Sequence, residues 1–301
     1  MTPVAFGLIL LSIFLHVGWN LISKKSQPSA AFYLLTSVTS FLLYVPCVFF
    51  AGIEWGALGT KFWGMVFLSI LSEILYFIGL FKTYRSTDIS LAYPMVRALP
   101  VLLVAAVTAV CGIGKPLNAA AVAGMFIVFA GCLLMPLQSF SQFSLRNYMT
   151  PVLGYMILAA CGTTGYTIFD GLLIPQILAH TKGSDLAATG AFISLLELGI
   201  TTGLSIYVLS RKAEREELKK LLGRSWTPHI CGICSSSAYI LVVLAMPRVT
   251  NLSYVQAFRQ MSLPLGVAAG VFILKEKCPA VRLAGVAAIA AGLIITALKQ
   301  G

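Results

Sequence analysis

The chain has 301 residues, of which 58% are hydrophobic and only 10% are charged. Soluble domains carry about a quarter charged residues, so a water-soluble fold is excluded, because a chain of this length cannot bury so much apolar side chain. The formal net charge of +11 does not indicate a nucleic-acid partner, since the lysines and arginines stand at the ends of apolar segments rather than on one polar face.

Apolar stretches of about 20 residues follow one another along the chain, and this length crosses a hydrocarbon core of roughly 30 Å. The first stretch is expected to be a retained helix, because it lacks the basic start and the cleavage site of a signal peptide. The charged connection 211–220 has Glu-to-Lys spacings that favour a short surface helix. The sequence predicts ten spanning helices: 3–22, 31–50, 62–81, 89–111, 117–137, 149–170, 187–210, 227–246, 252–274 and 280–298.

The second half of the chain echoes the first. The segment ISLAYPMVR at 89–97 matches NLSYVQAFR at 251–259, and each is followed by an apolar helix, a Lys- and Pro-containing turn and a helix rich in Gly and Ala. Five helices per half is an odd number, so the second half enters the membrane from the opposite face. The predicted fold class is an all-α integral membrane protein of ten transmembrane helices, built as two inverted five-helix repeats, 1–140 and 141–301, in a single transmembrane domain.

The distribution of basic residues predicts an orientation. Loops after the odd-numbered helices carry 14 of the 21 lysines and arginines, and the other side with both tails carries five. The positive-inside rule therefore predicts that both termini lie outside the cytoplasm.

Ionisable side chains inside the predicted spans are costly in lipid unless they face a partner or a water-filled cavity. Distances from the helix ends place Glu73 at the depth of Arg97, and Glu197 near that of Arg259, so the depths permit one Glu–Arg pair in each half near the midplane. Two interpretations stay open: structural salt bridges between helices, or arginines that contact an anionic group of a solute.

Other polar and aromatic side chains accompany these charges. His16 and Asn20 are one helical turn apart and share a face with Trp19, and the histidine either relays protons in a coupled transporter or bonds to a neighbouring helix. Tyrosines in the spans line a cavity or belong to the interfacial belt. The predicted substrate-binding residues are His16, Trp19, Asn20, Glu73, Tyr76, Tyr93, Arg97, Tyr166, Asp170, Glu197, Tyr239 and Arg259.

Several motifs of catalysis are missing from the sequence. It contains no GxxxxGK[ST] phosphate loop, no HExxH and no nucleophile elbow. The seven cysteines lie mostly in apolar segments, and the pair Cys231 and Cys234 begins a membrane segment, so we expect neither a disulfide framework nor a metal site. We expect no enzyme activity and no cofactor, which leaves secondary transport or facilitated diffusion.

The repeat residues resemble the EamA-type branch of the drug/metabolite transporter superfamily over essentially the whole chain. The run YVQAFRQMS at 254–262, the turn LKEK at 274–277 and the segment from Gly285 to Gly292 carry the resemblance. Helix 1, with HVGWNLISK at 16–24, resembles a subgroup linked to the use of phosphonates or other metabolites. The resemblance implies ten helices around a central cavity, metabolite export as in members that export amino acids, and a bacterial inner membrane.

Two features depart from that family. Its members are described with cytoplasmic termini, against the loop charges here. The small multidrug relatives have a glutamate in the first helix where this chain has His16, which disfavours proton-driven export of lipophilic cations.

The predicted function is secondary transport of a small polar metabolite, amino-acid-like, zwitterionic or an organic anion, by alternating access. Two alternatives stay open: export of cations or drugs through Glu73, Asp170 or Glu197, and a non-transporting membrane scaffold or sensor. The expected partners are the small-molecule substrate and membrane lipid but not nucleic acid, with a coupled proton or ion left open. We expect a monomer or a homodimer.

Overall fold

The computed structural model describes residues 1–24, 29–86, 89–135, 137–142, 152–272 and 278–298. Within these ranges the protein is all-helical and contains no strand. One isolated antiparallel bridge joins Ile53 to Thr181 between two loops. The predicted turn at 274–277 lies outside the described residues.

The helices follow one another with short connections. In the first half they are α1 (Pro3–Lys24), α2 (Ala30–Tyr44), α3 (Cys47–Ala51), α4 (Thr60–Ser86), α5 (Ile89–Val110) and α6 (Ala119–Leu134). In the second half they are α7 (Leu153–Ala179), α8 (Asp185–Leu209), α9 (Lys212–Leu221), α10 (Thr227–Ala245), α11 (Leu252–Arg259), α12 (Ser262–Phe272) and α13 (Ala280–Leu298).

Six helical segments in the described ranges are long and apolar enough to cross a membrane: Ala30–Ala51, Thr60–Ser86, Leu153–Ala179, Asp185–Leu209, Thr227–Arg248 and Ala280–Ala297. Shorter apolar helices accompany them at Pro3–Trp19, Val96–Val110 and Ala119–Leu134. Large apolar side chains such as Phe49, Phe67 and Phe272 are exposed on the outer surface, as expected where the surrounding solvent is lipid. These features are those of a multi-pass membrane protein.

Local sequence explains where several helices begin. Ser29, Ser184 and Asn251 each have an extended backbone before a helix, and each side chain accepts a hydrogen bond from an amide of the first turn. Such caps satisfy donors that have no partner inside the helix. The short surface helix predicted at 211–220 is confirmed as α9.

Several of the predicted spans have different bounds in the structure. The span predicted over 31–50 is divided into α2 and α3, and the one predicted over 62–81 continues as α4 to Ser86. The segment predicted as one helix over 252–274 is broken after Arg259, and α12 begins at Ser262. Pro264 explains the break, because it has no amide to continue the bonding pattern of α11. The span predicted to end at 170 continues as α7 to Ala179, with Pro175 inside the helix.

The main helix pairs join the two halves. Helix α4 packs along α7, and α1 packs along α10; α2 packs on α8 and α10, α5 on α7 and α11, and α6 on α13. The α6–α13 crossing is close enough that glycines face backbone directly. A Cβ on Gly124 would lie 2.6 Å from the Gly292 carbonyl oxygen, and one on Gly131 would lie 2.8 Å from that of Gly285. Only a residue without a side chain permits this approach.

Loop contacts also connect the halves. The Glu214 carboxylate of α9, whose residue is 4% exposed, accepts hydrogen bonds from the Ala31 amide (3.1 Å) and from Arg85 Nη1 (2.8 Å). It therefore ties the surface helix to the start of α2 and the end of α4. Elsewhere, Lys182 Nζ lies 2.7 Å from Glu54 Oε1 and lowers the pKa of that carboxyl from its ordinary value.

Candidate functional site

A polar cavity lies where α1, α2, α4, α7, α8, α10 and α11 meet. Its volume is about 70 Å³, enough for a few ordered water molecules. A smaller cavity of about 20 Å³ shares several of its walls and adds Arg97. The predicted residues that line one or both are His16, Trp19, Glu73, Tyr76, Arg97, Tyr166, Glu197, Tyr239 and Arg259. The side chains of Asn20 and Tyr93 lie outside the described residues.

Arg259 stands at the point where the two cavities share walls. It is the last residue of α11, where the negative end of the helix dipole favours a cation. Its guanidinium carbon lies 5.9 Å from the centre of the Tyr239 ring. Its Nη1 is buried and makes no hydrogen bond within the described part of the chain. A buried cationic donor without an acceptor is costly, so this nitrogen is available to an anionic group in the cavity.

Arg97 reaches across from α5 to the break between α11 and α12. Its Nη2 donates to the Arg259 carbonyl oxygen at 3.1 Å and to Ser262 Oγ at 2.7 Å. The arginine therefore satisfies a carbonyl that the broken helix leaves without an amide partner. Both arginines line the smaller cavity.

The two glutamates occupy the larger cavity in different settings. Glu197 on α8 accepts a hydrogen bond from Ser37 Oγ at 2.5 Å, and Thr201 Oγ1 lies 3.0 Å from the same hydroxyl. Glu73 on α4 lines the cavity and accepts no hydrogen bond from the described residues. The Glu73 carboxylate is thus the one available to a cationic group.

Of the two interpretations left open for these charges, structural Glu–Arg salt bridges are not what the structure has. Among the described residues, neither Glu73 nor Glu197 forms an ion pair with a basic side chain. Equal depth alone did not bring the partners together, because Arg97 is directed to the break after α11 and Glu197 is held by α2. Instead, Glu73, Glu197 and Arg259 line the larger cavity, and Arg97 lines the smaller cavity together with Arg259.

Asp170 is fully buried at 0% exposure and does not line either cavity. Ser69 Oγ donates to its Oδ1 at 2.5 Å, and the Tyr239 hydroxyl donates to its Oδ2. These bonds attach α4 and α10 to α7. The position indicates that Asp170 supports the cavity wall rather than contacting a solute.

Aromatic rings form much of the remaining wall. Tyr166 packs edge-to-face against Tyr76 at 5.8 Å and against Tyr239 at 5.7 Å between ring centres. Trp19 Nε1 donates to His16 Nδ1 at 3.0 Å, so that histidine nitrogen is the acceptor. Edge-to-face packing holds these rings in fixed positions around the charges.

Sequence reasoning missed three residues of α2. Tyr33, Thr36 and Ser37 line the larger cavity. Tyr33 is 1% exposed, and its hydroxyl has no hydrogen-bond partner among the described residues. The signal was their spacing of three and four, which places a phenol and two hydroxyls on one face of α2.

Comparison with known proteins was made at three levels. No protein-family model matches the chain, and no curated protein does. Among solved structures, 28 chains match. The fold is a known one. One crystal structure superposes with a TM-score of 0.65 over 98% of this chain and 97% of that chain, at 16% sequence identity. At this identity the likeness shows the fold and not the function.

Proposed function

We propose that the chain is a secondary transporter that carries a small zwitterionic metabolite, such as an amino acid, across the membrane by alternating access. The observation that carries the proposal is the buried, unsatisfied Nη1 of Arg259 in the same cavity as the Glu73 carboxylate. An anionic group satisfies the first and an ammonium group the second.

The charges of the site favour a zwitterion over either ion alone. Arg97 and Arg259 line the smaller cavity, and Glu73, Glu197 and Arg259 line the larger one. A simple anion leaves Glu73 without a cationic partner, and a simple cation leaves Arg259 Nη1 without an acceptor. A solute with both groups meets both needs at once, and it contacts each repeat through a charge.

We also propose the finer architecture: ten spanning helices in two inverted repeats, 1–140 and 141–301. The packing supports it. In this arrangement α4 corresponds to α10 and α1 corresponds to α7, so exchanging the halves turns the α4–α7 contact into the α10–α1 contact, and the structure has both. Likewise, the proximity of Gly124 to Gly292 becomes that of Gly285 to Gly131. Such reciprocity is expected when two equivalent units face each other across a pseudo-two-fold axis.

Contacts outside the helices agree with the ten-span count. This count places the α3–α4 and α7–α8 loops on one side, and Glu54 of the first pairs with Lys182 of the second. It places the ends of α2, α4 and α8 together on the other side, where Glu214 bonds to Ala31 and Arg85. Membership of the EamA-type branch, a bacterial inner-membrane location and a role in export are parts of the same proposal.

A second candidate is export of a cationic compound. It is favoured by the larger cavity, which is lined by two carboxylates and a single arginine. In that reaction Glu73 and Glu197 would hold the cation, and Arg259 would be a structural counterion.

A thermal-stability screen separates the two candidates. A ligand that binds only the folded state raises the melting temperature of the purified protein. We expect zwitterionic amino acids to raise it, and the Arg259→Ala and Glu73→Gln variants each to lose that rise. Arg224→Ala, which removes an exposed arginine outside the site, should keep it. Stabilisation by cations alone that survives Arg259→Ala would replace the proposal with the second candidate.

A further inference from the structure

A third cavity lies on the outside of the bundle, away from the charged site. It has a volume of about 470 Å³ and runs between α5 and α6 to the loop that joins them. Its wall is mainly apolar and includes Leu102, Ala105, Ala109, Val122 and Phe126. Val122 and Phe126 are exposed on this surface. The cavity is therefore an apolar groove that opens towards the surroundings of the helices.

The polar side chains in the groove already have partners. Thr108 Oγ1 donates to the Ala105 carbonyl oxygen at 3.1 Å and lies 3.1 Å from Ser253 Oγ. Asn251 Nδ2 donates to the carbonyl oxygens of Ile113 (3.3 Å) and Lys115 (3.0 Å). Because these side chains already have hydrogen-bond partners, an occupant of the groove does not need to supply any, and a hydrocarbon chain fits it better than a polar solute.

The mouth of the groove carries a positive charge. Lys115 lines it, and its exposed side chain forms no ion pair with the described residues. Its backbone is fixed, because its amide donates to the Thr250 carbonyl oxygen at 2.8 Å. The first turn of α6 begins nearby at Ala119 and adds the positive end of its dipole.

The dimensions of the groove correspond to one leaflet. The part of α5 from Leu102 to Val110 rises about 12 Å, which is within half of a hydrocarbon core of roughly 30 Å. In the proposed ten-span arrangement Lys115 follows the end of α5 at the membrane surface, which puts the apolar wall at the depth of the acyl chains and Lys115 at that of the headgroups. The apolar wall and the basic mouth are therefore arranged in the same order as the acyl chains and the charged headgroup of an anionic phospholipid.

We propose that this groove binds an anionic phospholipid, with an acyl chain between α5 and α6 and the headgroup phosphate on Lys115. This site is separate from the charged cavity, and it does not depend on what the protein transports.

Native mass spectrometry with phosphatidylglycerol and phosphatidylcholine of identical acyl chains tests the proposal on the full-length protein. We expect phosphatidylglycerol to bind more tightly, and Lys115→Ala to weaken it about fivefold without weakening phosphatidylcholine, since one basic residue at a membrane surface contributes about that factor. Lys61→Ala, which removes another exposed lysine, is the control and should leave both affinities unchanged.

A second variant fills the groove itself. Ala109 is exposed within the groove, so Ala109→Phe should block the acyl chain and reduce the binding of both lipids while the protein still folds. Unchanged phosphatidylglycerol binding in Lys115→Ala would overturn the proposal, and so would conversion of a dimer to a monomer by Ala109→Phe, because a second copy of the chain would then occupy the groove.

Discussion

The close crossing of α6 and α13 allows a quantitative test of the packing. Adding a methyl group at Gly124 places it 2.6 Å from the Gly292 carbonyl oxygen, a distance at which backbone must move. Replacing Gly by Ala inside a helix stabilises it by about 0.5–1 kcal/mol, whereas overpacking a tight contact costs about 1–3 kcal/mol. We therefore expect Gly124→Ala to lose about 1–2 kcal/mol of stability.

Gly64 in α4 provides the matched control. A methyl group there would meet nothing within 4 Å, so Gly64→Ala should keep or slightly raise the melting temperature in detergent. Gly124→Ala should lower it by several degrees. Gly292→Ala should lower it similarly, since its methyl group would lie 2.6 Å from the Gly124 carbonyl oxygen. The double variant should cost less than the sum, because the two changes separate the same helices. Equal melting temperatures for Gly124→Ala and Gly64→Ala would refute the reasoning.

Two further predictions concern buried carboxylates, and the same melting assay checks both. Asp170→Ala should cost about 2–4 kcal/mol of stability, because it leaves two hydroxyl donors without an acceptor. Asp170→Asn keeps one acceptor oxygen and should cost less. Equal losses of stability in the two variants would contradict the structural role of Asp170. Glu214→Ala should cost about 1–2 kcal/mol through its bonds to Ala31 and Arg85. Glu216→Ala, whose exposed pair with a lysine of the same helix spans 4.0 Å, should change stability by less than about 0.5 kcal/mol. A larger loss at Glu216 than at Glu214 would show that α9 is not held as described.

The helices themselves were readable from the sequence, because lipid imposes both their length and their composition. Each predicted span coincides with helix in the described residues, although several bounds differ and the spans predicted over 31–50 and 252–274 are each divided into two helices. Pro264 was visible in the sequence, but whether a proline bends or interrupts a helix depends on its neighbours in the fold. Here the Gln260 carbonyl, which Pro264 cannot bond, accepts from the Leu263 amide, and the next free carbonyl, that of Arg259, accepts from Arg97, 162 residues earlier.

The candidate site was predictable in composition but not in pairing. An ionisable residue inside a span indicates a polar interior, and this argument correctly brought Glu73, Glu197 and Arg259 into one cavity. It gave no rotation of the helices about their axes, so it could not decide whether the glutamates pair with the arginines, and among the described residues they do not. Tyr33 was missed because a single tyrosine close to a helix start resembles an interfacial anchor until its burial is known.

The central claim is that the charged cavity moves its ligand across the membrane, rather than only binding it. Counterflow in proteoliposomes tests this directly: vesicles loaded with an unlabelled amino acid that stabilises the protein should accumulate the labelled compound transiently. Arg259→Ala should abolish this accumulation, and Arg224→Ala should not. Binding without any counterflow in the unmodified protein would contradict the account and would leave a membrane sensor or scaffold as the function.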